Sequence, residues 1–254
     1  MRNVWIICRK ELGSYFVSPI AYILLAMFAA IFGFFFWNAL GVFILYGMES
    51  QMRGQMMPMN LNEEVIRPLL QNAGVIGLFF IPIITMRLFA EEKRSGTIEL
   101  LATSPVRDIE VILGKWLAAL ALYACMLVFA ALSFGFLFKY GNPDWKPLAI
   151  GYLGLLLQAG ALLAIGTFIS TLTKNQIIAG AATFGVCLLL WVLEWVSYET
   201  ATWAKVIAYM SVTSHFESFA KGVLDVKDAI FYLSLIFFGL FLTARSMESL
   251  RWRS

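Results

Sequence analysis

The chain has 254 residues, of which 61% are hydrophobic and only 14% charged, with a formal net charge of +3. A soluble domain could not hide that much apolar surface, and uninterrupted apolar runs near 20 residues point to membrane spans. One His and three Cys, no two of the Cys forming a spaced pair, argue against metal or disulfide chemistry and leave Cys8, Cys125 and Cys187 as small packing residues.

In chain order, the first expected element is a helix over residues 1–19. Val4, Cys8, Leu12 and Phe16 recur every four residues beside Ile7 and Tyr15, with Arg9, Lys10 and Ser14 on another face. That spacing describes a helix lying in the headgroup layer with its cations toward anionic lipid, the alternative being a frayed basic terminus that serves only topology. Ser18-Pro19 then suits an N-cap and first helical position, which launches the first span. That run is too long for the core of a signal peptide.

Six spans are expected, at about 20–47, 69–88, 109–138, 148–172, 177–197 and 228–246. The third is long enough to tilt or protrude. Only Thr173-Lys174-Asn175-Gln176 joins the fourth to the fifth, so those two form a tight antiparallel hairpin. Lys and Arg residues divide twelve to seven between the two sides, accounting for all 19. The richer side holds both termini, the segment after span two and Lys174, and the positive-inside rule places it in the cytoplasm.

Between spans one and two, the Met-rich 48–68 segment suits docking of an external or sister subunit, although an ordinary extracellular loop is the simpler reading. Between spans five and six, residues 198–226 are too apolar for a free loop and too charged to cross whole. Two short helices dipping into the outer leaflet are expected: Trp203 to Met210, and one near 215–221 capped by Ser214 with Glu217 and stopped at Gly222. Trp191, Trp195, Tyr198, Trp203 and Tyr209 would form an interfacial aromatic belt. Asp225 caps span six. His215 reads as structural, with no acid or nucleophile spaced to it in a known catalytic pattern.

Residues 91–108, EEKRSGTIELLATSPVRD, hold the densest charge cluster and lie between two apolar spans. Ser95-Gly96-Thr97 can start a helix, Glu99 suits its positive end, and Ile98, Leu101 and Ala102 make an apolar stripe before Pro105 ends it. A short amphipathic helix over 95–105 is one reading, fitted to a groove on a cytosolic protein. A solvated loop whose charges merely fix topology is the other. Every span is free of ionisable groups except near its ends, Glu194 near the outer end of span five being the closest exception, which disfavours a proton relay. No GxxxxGK[ST] phosphate loop exists, since Gly114-Lys115-Trp116 lacks the preceding glycine and the hydroxyl residue.

The 91–106 segment, followed by Leu113-Gly114-Lys115, resembles the signature after span two of type-2 permeases of ATP-binding-cassette transporters. The opening RKELGSYFVSPIAY and the tail from His215 to Arg253 resemble the same family, most closely the permeases associated with gliding motility and copper-enzyme maturation. The resemblance implies an all-α polytopic membrane protein with six transmembrane helices, an N-terminal connecting helix and a re-entrant pair between helices 5 and 6. It implies a half-transporter of two permeases, either a homodimer or a pair with a sister subunit, and two separate ATPase copies. ATP and Mg would be bound by that partner and no cofactor by this chain. Residues 95–105 would be the coupling helix, with Glu91, Glu92, Arg94, Gly96, Thr97, Glu99, Leu101 and Pro105 meeting the ATPase and Lys174 and Asn175 making a second contact. Trp203, Tyr209, His215 and Phe216 would belong to the outer gate. Gly74, Gly77 and Pro82 of span two and Gly180 and Gly185 of span five would line the dimer pathway, Pro82 as a kink. The expected function is ATP-driven translocation of a substrate across a bacterial inner membrane, with lipid around the chain and no nucleic acid as partner. An extracytoplasmic accessory subunit remains compatible with the 48–68 segment. Alternatives are an ion-coupled secondary carrier and a non-transporting device that transmits ATP-driven motion to an external partner.

Overall fold

The structure is a computed structural model, and it describes residues 2–52, 60–97, 106–198 and 209–251, the side chains of 196–198 and 250–251 excepted. Glu99, Leu101, Pro105 and Trp203 lie outside the described residues.

Every regular element among the described residues is helical. In order they are α1 (Arg2–Val17), α2 (Pro19–Met52), a π-helical turn (Asn62–Ile66) leading into α3 (Arg67–Thr85), α4 (Ala90–Ser95), α5 (Asp108–Tyr140), α6 (Trp145–Leu172), α7 (Gln176–Val192) with a 3-10 extension (Leu193–Tyr198), α8 (Val212–Ala220) and α9 (Val226–Arg251). Six helical stretches are long and apolar enough to cross a membrane. The first and third run to 34 and 33 residues, about 50 Å at 1.5 Å per residue, against a hydrocarbon core of about 30 Å. Both therefore extend beyond the apolar layer.

Local chemistry explains the ends. Ile20 N–H donates to Ser18 Oγ at 3.4 Å, so Ser18-Pro19 opens α2. Ile177 N–H donates to Asn175 Oδ1 at 2.9 Å and opens α7. Lys227 N–H donates to Asp225 Oδ1 at 3.0 Å at the start of α9. Gly222, at φ +77°, takes the left-handed conformation that ends α8. One cap differs from expectation. Ser211, not Ser214, caps α8, receiving Ser214 N–H at 3.4 Å. Glu217 is engaged elsewhere, accepting from Arg67 at 3.0 Å and Lys221 at 2.8 Å. Those contacts hold its carboxyl below the usual carboxylate range, the Lys221 hydrogen bond having the largest effect.

Packing centres on α3 and α6. Buried residues run along α3 from Leu69 to Thr85. On α6, small residues admit neighbours closely: a Cβ on Gly154 would lie 2.5 Å from Phe219 Cβ of α8, and one on Gly151 2.4 Å from Leu70 of α3. Trp116 Nε1 of α5 donates to Gly160 O at 3.0 Å. α9 lies so close to α6 that a Cβ on Gly239 would sit 2.8 Å from the backbone carbon of Ala164. By contrast, much of α2, α7 and α9 faces outward with large apolar side chains, among them Trp37, Ile177 and Phe237. That is the surface a lipid solvent accepts.

The stripe on α1 turns inward. Cys8 and Tyr15 are buried and Ile7 seats against Gly114 of α5, where a Cβ would meet Ile7 Cγ2 at 2.7 Å. The expected stripe is therefore covered by protein rather than lipid. The exposed face carries Trp5, Ile6 and Val17 with Arg2, Arg9 and Lys10.

Gly239→Ala must push two helix backbones apart, so it should destabilise the protein by about 1–3 kcal/mol. Gly135→Ala, with nothing within 4 Å of the new methyl, should be neutral or stabilising by up to about 1 kcal/mol. Thermal unfolding of both variants in detergent or nanodiscs checks the contrast.

Candidate functional site

The charged segment after α3 is anchored at one end of the bundle. Lys115, on α5, is 2% exposed, and its ammonium lies 3.1 Å from Glu11 of α1 and 2.8 Å from Glu92 of α4. The Phe89 ring centroid lies 5.3 Å away. One buried cation thus joins three helices that are distant in sequence. A buried ammonium is tolerable only when paired and hydrogen-bonded, and two carboxylates with an aromatic face meet that need.

Around this centre the backbone is tied down by side chains from other elements. Phe89 has no cap of its own, yet the N–H groups of Phe89 and Ala90 both donate to Ser170 Oγ of α6 at 3.1 Å. A hydroxyl from another helix therefore satisfies the orphan donors at the start of α4. The Lys93 ammonium donates to the Thr171 carbonyl, also on α6, and Thr171 Oγ1 donates to Ser246 Oγ of α9 at 2.8 Å. Tyr15 of α1 donates its hydroxyl to Ile84 O at 3.1 Å. Burial, with Glu11 nearby, pushes that phenol above its ordinary pKa. Arg87 Nε donates to Glu91 at 2.9 Å, beside a cavity of about 30 Å³ lined by Glu11, Ser14, Tyr15, Arg87, Leu88 and Glu91. Asn3 donates to Glu110 at 3.0 Å, where the Arg107 N–H also donates. These contacts fasten the far flank of the segment to α1.

Several expected site residues come together here. Glu91 and Glu92 are half-buried anchors, whereas Arg94, Gly96 and Thr97 are exposed beyond them. Gly96 sits at φ +75°, so Ser95-Gly96 closes α4; Thr97 is helical again, and residues 98–105 of the expected 95–105 helix lie outside the described residues. Ser95 Oγ donates to Glu91 O at 3.0 Å and lies 2.9 Å from Thr97 Oγ1. Lys174 and Asn175 are exposed at the same end, close enough that Lys174 acts electrostatically on Lys93.

The remaining candidates fall elsewhere. A Cβ on Gly74 would lie 3.0 Å from Gln158 Oε1 of α6, and one on Gly77 2.7 Å from the Tyr123 hydroxyl of α5. Both glycines make close packing within this chain. Pro82 is buried inside α3, and its carbonyl accepts Met86 N–H at 3.0 Å. Gly180 faces Met86, and Gly185 faces open space. At the opposite end, His215 and Phe216 are buried on α8, while Tyr209 is exposed on the turn before it.

Sequence reading missed Lys115, Glu11 and Ser170 as site residues. A lysine within the apolar run of α5 was the available signal, since an ammonium there must find partners. No local pattern marked Ser170.

Six apolar spanning helices with a polar cluster bound at one end define a multi-pass integral membrane protein. Residues 5–236 match the model described as ABC-2 family transporter protein. The chain belongs to that family and is a membrane permease subunit of an ABC transporter. Such chains are the transmembrane subunit, not themselves catalytic, and the family implies an ABC ATPase partner and typically a dimeric arrangement. No curated protein is matched by the chain.

Lys115→Met leaves the half-buried Glu11 and Glu92 carboxylates facing each other's site without their cation and should cost about 1–3 kcal/mol. Adding Glu92→Gln should recover part of that loss, with a coupling above about 0.5 kcal/mol in a double-mutant cycle. Additive losses would show that Lys115 and Glu92 do not interact.

Proposed function

We propose that the chain moves a substrate across a bacterial inner membrane, driven by a separate ATPase that grips the segment around Glu91–Pro105. In this reading Arg94, Gly96, Thr97, Glu99, Leu101 and Pro105 meet the ATPase, and Lys174 and Asn175 form a second, smaller contact. ATP and Mg are held by two copies of the partner. A second permease, identical or a sister, completes the pathway, toward which Gly185 is free to face. The excess of Lys and Arg at this end supports a cytoplasmic location for both termini.

The observation that carries the reading is the buried Lys115 junction. A force applied to an unanchored loop would be absorbed by rotation of its backbone. Here Glu92 is bound to Lys115, Lys93 to Thr171, and Phe89 and Ala90 to Ser170. Displacement of the exposed 94–97 edge would therefore pull on α1, α5 and α6 together. The second contact hangs from the same end of α6, so one docking event could load two helices and the hairpin between α6 and α7. Rotation of packed helices as units is a familiar form of switching.

Gly96→Pro cannot adopt φ +75° and would redirect the exposed edge. The variant should insert normally and form the same oligomer, yet lose stimulation of the partner ATPase. Unchanged stimulation would remove the docking role. Purified without that partner, the wild-type chain should hydrolyse no ATP, and robust turnover by the chain alone would contradict the division of labour.

A further inference from the structure

At the end of α6 remote from Ser170, α8 is clasped to α9 through the one histidine of the chain. His215 is 6% exposed. Its Nδ1 lies 2.7 Å from Asp228 Oδ1 on α9, and its Nε2 lies 2.8 Å from the backbone carbonyl of Tyr209. The ring stacks on Phe231 at 3.8 Å between centroids and meets the edge of Tyr209 at 4.8 Å. A second tie runs alongside, from the Tyr232 hydroxyl to Val212 O at 2.7 Å.

We propose that His215, Asp228 and the Tyr209 carbonyl form a proton-binding clasp that couples the attachment of the 209–222 segment to protonation. The donor count requires it. A backbone carbonyl can only accept, so Nε2 carries a hydrogen. The contact between Nδ1 and Asp228 then holds one more proton, whether as imidazolium with carboxylate or as neutral imidazole with carboxylic acid. Relative to a neutral ring and an ionised Asp228, the closed clasp has bound one proton.

Loss of that proton leaves one hydrogen for two acceptors. With it on Nε2, a nitrogen lone pair would face a carboxylate oxygen at 2.7 Å. With it on Nδ1, the charge-assisted bond to Asp228 survives and Nε2 turns a lone pair toward the Tyr209 carbonyl. Charge-assisted bonds are roughly twice as strong as neutral ones, so the Tyr209 side opens. Proton release therefore frees the turn leading into α8, while α8 stays bound to α9. By linkage, any movement that draws Tyr209 off the ring also weakens the hold on the proton.

The other charges nearby do not substitute for Asp228. Lys221, just after α8, and Arg67 of α3 are both engaged with Glu217. Lys146 lies on α6, Glu194 follows α7, and Asp225 and Lys227 flank the start of α9. None of these is hydrogen-bonded to the ring, whose two nitrogens are accounted for. Because α8 seats Phe216 and Phe219 against Gly154, release at Tyr209 loosens one side of a helix packed on α6.

The single histidine makes the test direct. The full-length chain, labelled with ¹⁵N-histidine and held in lipid nanodiscs, is titrated while amide exchange of residues 209–222 is followed by mass spectrometry, corrected for intrinsic rates. The expected result is that the ring loses its Nε2 proton and keeps Nδ1–H. Protection at 209–212 should fall over the same pH interval, and Asp228→Asn should abolish that pH dependence. Loss of the Nδ1 proton instead, protection at 209–212 that ignores the ring titration, or an unaltered profile in Asp228→Asn would each overturn the clasp.

Discussion

The structure depends on one awkward charge. An ammonium buried at the end of an apolar helix costs several kcal/mol unless it is paired, and Lys115 is paired twice, with Glu11 and Glu92. Neither partner is near it in sequence, so satisfying Lys115 requires α1 to lie across α5 and the start of α4 to turn inward. The apolar packing agrees. Gly114, the neighbour of Lys115, leaves the space into which Ile7 fits. Hydrophobic contact brings the helices together and the ion pairs fix their register.

A second constraint runs through α6. It receives α3, α8 and α9 at glycines or small residues, close approaches suited to a medium where apolar side chains gain little by leaving lipid. Its two ends serve different elements. Ser170 and Thr171 hold the charged segment at one end, and Gly154 receives α8 toward the other. A straight helix of 28 residues spans about 42 Å, so α6 physically joins the Lys115 junction to the His215 clasp. Both clusters therefore border elements that pack on the same helix.

Much of the architecture was legible in the sequence because apolar length and helix punctuation are local signals. Six spanning helices, the Ser18-Pro19 opening, the tight turn at Asn175 and the stop at Gly222 all follow from neighbours in the chain. What escaped detection was long-range. The stripe of Val4, Ile7, Cys8 and Tyr15 declares an apolar face but cannot say whether lipid or protein covers it, and α5 covers it. Ser211 and Ser214 are both competent caps, and only the course of the chain selects Ser211. Gly96 ends α4 in a left-handed conformation, and Thr97 after it is helical again, while most of the helix expected over 95–105 lies outside the described residues. Lys115 counted toward topology on its position alone, because its two partners are fixed by tertiary packing. His215 had no visible partner for the same reason, Asp228 being on a different helix.

In this account the permease is an anchored lever: apolar helices held in lipid, an exposed polar edge at 94–97, and buried ion pairs that stop the edge from moving alone. Membership of the ABC-2 family supplies the expectation of a partner ATPase, and the proposal sets that partner's pull on the anchored segment. Photo-crosslinking within the assembled complex in native membranes tests this most directly, with a reactive side chain placed in turn at Arg94, Lys174 and Val223. The account predicts adducts with the nucleotide-hydrolysing subunit from positions 94 and 174 and none from 223. Adducts from 223, with 94 and 174 silent, would contradict it.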